Sequence, residues 1–438
     1  MFDVPDREAL EAVNDVSIAE FPRIAPVRHE RDHPQVDDVE GTTIGALGAI
    51  DFEGLDTGSE IAITAGSRGI QDKPAVLEAA VADLQERGYE PFLFPAMGSH
   101  GGATAEGQVE TLASLGVTEE SIGCEIRSSM DVEEVGEDEE GRPVYAATDA
   151  LEADAVVLVN RIKAHTDFTG PIESGLCKMA VIGLGKQRGA EVAHNAAIAK
   201  GHENVFPERA EILFENTPIA GGVAIVENAD DRAAHIEGVP VERITDREPE
   251  LLERSKELLP TLPVDDLDLL IVDAQGKDVS GSGMDTNVLG RLLVHGQPEP
   301  EGQEFTRVHV RSITEGSHGN GIGVGLADFA HCEAIDALDP VDTYLNAITG
   351  GEPARARLPV TVPADATALL LAYSTTGTRD PEDMRIVRIP NTLDLGEFLA
   401  SEPVTEELAD RSDIRVGDDE PMAFEDGDLA ERSYTELR

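Results

Sequence analysis

The chain has 438 residues, 40% of them hydrophobic, which is enough for two or three domains with sizeable cores. Its net charge of -53, from 34 basic and 87 acidic residues, argues against nucleic acid as a partner because phosphates would be repelled. The sequence has neither an apolar run of about 18 residues nor a basic segment followed by an apolar stretch at its start. We therefore expect a cytoplasmic protein without a membrane partner.

Acidic residues are spread along the whole chain, whereas lysine is scarce and tryptophan is absent. We interpret this composition as a solvated acidic surface suited to high salt, of the haloarchaeal kind, rather than as a cation-binding surface. Salt screens the self-repulsion that such a charge causes. The three cysteines, Cys124, Cys177 and Cys332, form no CxxC pair and no zinc spacing, so a disulfide framework is not expected.

From residue 59 onward, strand-like and helix-like segments alternate. Strands are predicted for SEIAITAGS, YEPFLFPAMG and DAVVLVNRIKAH, which are short apolar runs. Helices are predicted between them for DKPAVLEAAVADLQERG and AEGQVETLASLG, the first with Asp72 as N-cap and Pro74 in its first turn. This alternation predicts a mainly parallel sheet with helices on both faces.

The second half of the chain repeats the pattern. Helices are predicted for AEVAHNAAIAKG and EPELLERSKELL, TLPVDD resembles a domain boundary, and LDLLIVDAQGKD restarts with a buried strand. We predict the α/β class, with two α/β domains at residues 1–260 and 261–438, mainly parallel sheets and an active-site cleft between them. The acidic C-terminal residues are expected to form a mobile tail or a strap across the surface.

Three of the predicted strands end in polar, reactive residues. In chain order these are Ser67 and Arg68, then His100 in a glycine-rich loop, then Lys163 and His165. Ligands of open parallel sheets bind beyond the carboxyl ends of the strands, so these residues would share one cleft if the strands are neighbours. Two histidines could serve as acid and base on opposite sides of a substrate, and an arginine suits a carboxylate or phosphate.

A more specific pattern follows in the stretch from Lys178 to His194, which lie 16 residues apart with three glycines between them. Lys178 has apolar neighbours, and a lysine desolvated in this way can lose its proton and act as a nucleophile. His194 falls on a predicted helix and could present a nitrogen to a metal. The alternative is a lysine that extends from a core strand to solvent and a histidine on a solvated helix face.

The GSHGGAT loop, His165 within RIKAH, and the spacing of Lys178 and His194 together resemble the lactate racemase family, isomerases that use a nickel-pincer nucleotide. The resemblance runs from about residue 40 to residue 400. It implies that Lys178 holds the cofactor covalently through a thioamide and that His194 completes the coordination of nickel. It also implies that Arg68 lies in the cofactor and substrate pocket, with Ser67 near phosphate.

The same resemblance implies that His100 and His165 are the two acid/base catalysts of a racemase or epimerase. The hydrogen on the hydroxyl-bearing carbon of a small 2-hydroxy acid would leave as hydride to the cofactor and return to the opposite face. Ala65 departs from the family pattern, in which an acidic residue lies three positions before the arginine. Lys277, in QGKDVSGSGMDTN, is the candidate for the lysine that contacts substrate from the second domain.

Two rival hypotheses remain open at this point. A metal-dependent hydrolase or lyase would use His100, His165 and His194 as ligands of zinc or iron and would form no covalent adduct. A nickel-cofactor carrier or degenerate homologue would bind the cofactor without turnover. For the racemase, the expected partners are the hydroxy acid and, transiently, the proteins that make the cofactor.

Overall fold

The computed structural model describes residues 4–31, 33–67, 69–295, 297–300 and 302–435. The strands are β1 (Ile24–His29), β2 (Glu60–Ala65), β3 (Glu90–Pro95), β4 (Val132–Glu137), β5 (Pro143–Ala147), β6 (Ala155–Arg161), β7 (Ile219–Glu227), β8 (Ala233–Pro240), β9 (Asp266–Gln275), β10 (Glu304–Ile313), β11 (Phe329–His331), β12 (Val360–Val362), β13 (Ile386–Ile389), β14 (Glu397–Ser401), β15 (Ile414–Val416), β16 (Phe424–Glu425) and β17 (Asp428–Leu429).

The helices are α1 (Arg7–Glu11), α2 (Val39–Leu47), α3 (Lys73–Glu86), α4 (Ala105–Ser114), α5 (Glu119–Ile122), α6 (Thr148–Leu151), α7 (Leu176–Lys178), α8 (Lys186–Lys200), α9 (His202–Asn216), α10 (Ile244–Glu257), α11 (Thr286–Leu289), α12 (Cys332–Asp336), α13 (Pro340–Thr349), α14 (Asp365–Thr376) and α15 (Glu402–Leu408). A π-helical segment, Met179–Leu184, lies between α7 and α8. Within the described residues, no helix combines the length and apolar character needed to cross a membrane.

The chain divides into two compact units. The central unit is His33–Leu259, and the terminal unit combines residues 1–32 with residues 260–438. The prediction that residues 1–32 belong to the first domain is therefore corrected. The physical reason is strand pairing, because β1 pairs antiparallel with both β14 and β15 and so completes the sheet of the terminal unit.

The central unit contains a five-stranded sheet in the order β3-β2-β6-β7-β8. The pairs β3–β2, β2–β6 and β6–β7 are parallel, and only β8 runs antiparallel. Alternate residues of β2 belong to two separate apolar cores, Ala62 to one and Ile61 and Ile63 to the other. Helices therefore cover both faces, as predicted, and the three strands that end in reactive residues are neighbours.

Two local details differ from the sequence expectation in this unit. Asp72 is at the N-cap of α3, yet its carboxylate caps no helix N–H and accepts instead from the backbone of Ala233 at 2.7 Å. The antiparallel hairpin of β4 and β5, at residues 132–147, was not anticipated at all. Its first strand is only partly buried, so it lacks the apolar run that marks the other strands.

The terminal unit contains an eight-stranded sheet in the order β12-β11-β10-β9-β13-β14-β1-β15. The first five strands are parallel, and the remaining pairs are antiparallel. The whole chain is thus of the α/β class with mainly parallel sheets. The acidic C-terminal region is a strap, because β15 pairs with β1 and the backbone N–H of Leu429 donates to Asp365 at 2.9 Å.

Candidate active site

The loops after β2 and β3 bring Ser67 and His100 together. The Ser67 hydroxyl is hydrogen-bonded to Nδ1 of the His100 ring, and both residues follow parallel strands that end at one edge of the sheet. Gly101 has a φ of +67°, and a Cβ there would lie 2.6 Å from the backbone nitrogen of Gln108. Glycine is therefore needed for the His100 loop to lie against α4. Arg68 lies outside the described residues.

His165 lies on a short closed loop after β6. The backbones of Lys163 and Ser174 are hydrogen-bonded to each other, with N–O distances of 2.9 and 3.2 Å, which closes the loop. The buried carboxylate of Glu173 accepts from the backbone N–H of His165 at 2.6 Å. The backbone N–H of Asp167 donates to Nδ1 of His165 at 3.0 Å. These contacts fix both the position of His165 and the orientation of its ring.

Lys178 lies against this ring, with its Nζ 2.5 Å from Nε2 of His165. Because Nδ1 of His165 accepts from Asp167, the proton of the neutral ring is on Nε2. An uncharged amine at Nζ would then accept that proton, and an uncharged amine is the nucleophilic form of lysine. The π-helical segment Met179–Leu184 follows directly, and single π-turns of this kind are frequent at functional sites.

His194, on α8, lies in the electrostatic environment of Lys178 and His100. Desolvation, followed by the nearby His202 and Lys178, lowers the pKa of His194 to about 4 against the opposing effect of Asp167. The side chain is nevertheless exposed, so the ring is accessible. A neutral, accessible imidazole at pH 7 is the form that binds a metal ion. Desolvation likewise lowers the pKa of His202.

An aromatic cluster connects these histidines. The buried ring of Phe168 lies 4.5 Å from the ring of His165 and stacks on His202 at 4.7 Å, measured between centroids. His202 in turn lies 6.0 Å from His194. The sequence analysis missed Phe168, His202 and Glu173. The sequence does contain a pattern that indicates His202. It begins the helix that follows the helix of His194, directly after the break at Gly201.

Lys186, the other lysine of the glycine-rich stretch, has a different environment. Its side chain is completely buried, and Nζ donates to the carbonyl oxygen of Pro95 at 2.6 Å and to Oε1 of Gln108 at 3.3 Å. Burial lowers the pKa of Lys186 to about 8. The amide of Gln108 donates to the carbonyl of His100 at 3.3 Å, so Lys186 supports the backbone of the His100 loop.

Lys277 belongs to the terminal unit, where it directly follows β9 and Gly276. Its side chain is exposed, and Nζ donates to the carbonyl oxygen of Gly281 at 2.7 Å. Its backbone N–H donates to the hydroxyl of Ser317 at 3.0 Å, which connects the loop to the turn that follows β10. The other candidates that the structure describes, Ser67, His100, His165, Lys178 and His194, all belong to the central unit.

Among the described residues, one group of three potential metal ligands converges, with ligand atoms within 4.8 Å of one another: His331, Asp365 and Asp428. This group lies in the terminal unit. The backbone N–H of Glu333 donates to Nδ1 of His331 at 3.3 Å, so the proton of the neutral ring is on Nε2, which donates to Asp428 at 3.1 Å. A metal-bound nitrogen carries no proton, so His331 is arranged as a hydrogen-bond donor rather than as a ligand.

The zinc or iron hypothesis requires a different set of side chains to converge. It needs nitrogen atoms of His100, His165 and His194 around one ion. Over the residues that the structure describes, these three side chains do not form a group with ligand atoms within 4.8 Å of one another. The arrangement therefore does not favour a three-histidine metal centre.

The chain matches no family model and no curated protein sequence. Among solved structures, it is similar to the lactate racemase apoprotein from Thermoanaerobacterium thermosaccharolyticum, with a TM-score of 0.53 and 13% sequence identity. The match covers 87% of this chain and 96% of that chain. The two proteins therefore share a fold over nearly their whole length.

Proposed function

We propose that this chain is an isomerase that inverts the hydroxyl-bearing carbon of a small 2-hydroxy acid, as a racemase or epimerase. The observation that carries the proposal is the contact between Nζ of Lys178 and Nε2 of His165 at 2.5 Å, in the same neighbourhood as His194 and His100. The similarity in fold to a lactate racemase apoprotein supports the same class of reaction.

The donor set fits a nickel-pincer nucleotide. Lys178 offers an amine for covalent attachment, and the contact with His165 suits its uncharged form. His194 offers an accessible imidazole that the lowered pKa keeps neutral at pH 7. We propose that Lys178 holds the cofactor and that His194 is the protein ligand of nickel. The cofactor-making proteins would be transient partners.

When bound, the cofactor would supply reversible hydride-transfer chemistry for C2 of the substrate. The residues of the chain bind, orient and move protons. One of His165 and His100 takes the proton of the substrate hydroxyl, and the other supplies a proton after inversion. The Ser67 hydroxyl orients the His100 ring through Nδ1. Arg68 and Lys277 are proposed to bind the substrate carboxylate, and Arg68 and Ser67 a phosphate of the cofactor.

The test uses the holoprotein, expressed with the cofactor-making proteins, and a panel of 2-hydroxy acids deuterated at C2. Inverted product should keep its deuterium in ordinary water, because hydrogen transferred as hydride would not exchange readily with solvent, whereas a proton on a base does. Product that has lost its deuterium would overturn the hydride route. A cofactor-loaded protein that converts no member of the panel would favour the carrier hypothesis.

Intact mass spectrometry of the same preparation tests the attachment. Lys178→Ala should lose the cofactor-sized mass increment. Lys186→Ala is the matched control and should keep it, because Nζ of Lys186 is buried against Pro95. If Lys186→Ala loses the increment while Lys178→Ala keeps it, the anchor is Lys186 and the proposal for Lys178 is wrong.

A further inference from the structure

Helix α10 contacts the backbone segment that carries Lys178. The side chain of Glu248 is buried, and its Oε2 accepts from the backbone N–H of Cys177 at 2.9 Å, at the start of α7. A Cβ at Gly175 would lie 2.1 Å from Oε1 of Glu248, so glycine is required for this close approach. Glu248 therefore fixes the first turn of the helical segment in which Lys178 lies.

The same helix also contacts the loop that carries His165. Nζ of Lys256 lies 3.2 Å from Oε1 of Glu173, whose other oxygen accepts from the backbone N–H of His165. Glu248 and Lys256 are eight residues apart on α10, which is about two helical turns, so they share one face. Helix α10 thus supports both partners of the contact between Lys178 and His165.

We propose that Glu248 and Lys256 are positioning residues, and that α10 holds the Lys178 amine and the His165 imidazole in contact. The two partners lie on separate backbone segments, so their contact requires both segments to be fixed. A displacement of about 1 Å is enough to disrupt an arrangement of reacting groups. The proposal concerns the apoprotein and stands or falls independently of the nickel cofactor.

The desolvation cost of burying the Glu248 carboxylate supports a positioning role for this residue. Burial raises the pKa of Glu248 to about 7, against the effect of the hydrogen bond from the Cys177 backbone. Within the described part of the chain, Oε1 of Glu248 has no hydrogen-bond partner. An apolar side chain at this position would avoid that desolvation but would leave the Cys177 N–H without its acceptor.

The test measures the reactivity of the Lys178 amine in the apoprotein. The protein is labelled with trace acetic anhydride across a range of pH, and peptide mapping compares Lys178 with the exposed Lys277 in the same sample. Glu248→Leu and Lys256→Met should each change the relative labelling of Lys178 by about fivefold, because each removes about one net hydrogen bond from the segments that hold the contact. They should also shift the pH midpoint of its labelling, which a purely structural role would not do.

The matched control is Glu253→Gln. Glu253 is exposed and is the other carboxylate that pairs with Lys256, at 3.1 Å. The pair between Lys256 and Glu173 does not involve it. This variant should leave the labelling profile of Lys178 unchanged. Unchanged profiles in both Glu248→Leu and Lys256→Met would overturn the proposal. If Glu248→Leu does not fold, Lys256→Met decides the question alone, because Lys256 is partly exposed.

Discussion

Two histidine clusters, one in each unit, have contrasting surroundings. In the terminal unit, the buried His309 is hydrogen-bonded through Nε2 to Asp365 at 2.8 Å, and Arg311 donates to the other carboxylate oxygen at 2.7 Å. In the central unit, His165 faces an amine and His194 is exposed. In the first arrangement a buried carboxylate holds both the histidine and an arginine. In the second, an amine and imidazoles lie beside one another, with an Asp167 carboxylate oxygen 3.7 Å from Nδ1 of His165.

The contrast gives a criterion for distinguishing a structural histidine from a functional one, namely the chemistry of the groups around its ring. A carboxylate partner stabilises a histidine within a buried network, here one that also holds the C-terminal strap through Leu429. In the cluster around the Lys178 amine, desolvation and the neighbouring His202 and Lys178 lower the pKa of His194 despite the opposing charge of Asp167, which keeps the imidazole neutral. Sites that perturb pKa values in this way are functional candidates.

The largest effect is expected in the nickel content of variants from the two clusters. In holoprotein made with the cofactor-making proteins, His194→Ala should reduce the nickel content per chain by about tenfold or more, because it removes the proposed nitrogen ligand. His331→Ala is the matched control and should keep its nickel, since His331 is a hydrogen-bond donor to Asp428. Elemental analysis gives the result, and loss of nickel from His331→Ala alone would move the metal site to the terminal unit.

The sequence was sufficient where the determinants are local. Apolar runs predicted β2, β3 and β6, and parallel order followed from their alternation with helices, which explains why His100 and His165 lie at one sheet edge. It was insufficient where contacts span the chain. The pairing of β1 with β14 joins residues 24–28 to 397–401, and no local pattern announces it.

The supporting residues of the site were missed for the same reason. Glu173 and Glu248 carry no motif, and their roles depend on which backbone N–H groups the fold brings to them. The contact of Phe168 with His165 could not be predicted, because an apolar residue in a loop belongs to no periodic pattern. The expected cleft between the two domains and the salt-adapted character of the acidic surface stay predictions.

A second prediction concerns stability and should show a smaller effect. Asp365→Asn removes one partner of a buried ion pair, which typically costs about 3 kcal/mol of the free energy of unfolding and here corresponds to a fall of about 8 °C in the melting temperature. The control is Asp428→Asn, because the Asp428 side chain is 43% exposed and its pair with His331 is worth about 1 kcal/mol or less. Scanning calorimetry measures both, and equal shifts would contradict the distinction between the two pairs.

The smallest expected effect concerns pH, because the stability contributions of Asp365 and His194 should depend on pH in different ranges. Burial alone would raise the pKa of Asp365, but the hydrogen bond from His309 and the charge of Arg311 hold it below its usual range. Its stabilising contribution is therefore complete above about pH 4 and is lost only at lower pH. His194 behaves differently, because desolvation lowers its pKa to about 4 in the folded chain, against about 6.5 when unfolded.

Between these two pH values the unfolded chain binds a proton at His194 that the folded chain does not, so stability falls as the pH falls from about 6.5 towards 4. Since His194 is exposed, solvent screens part of the effect, and we expect a loss of about 2 °C in melting temperature from pH 7 to pH 5. His194→Asn should reduce this loss, whereas Asp365→Asn should melt lower at both pH values with the same loss as wild type. A loss that His194→Asn leaves intact but Asp365→Asn abolishes would reverse the assignment, and acid sensitivity would then originate in the ion-paired network rather than in the histidine cluster.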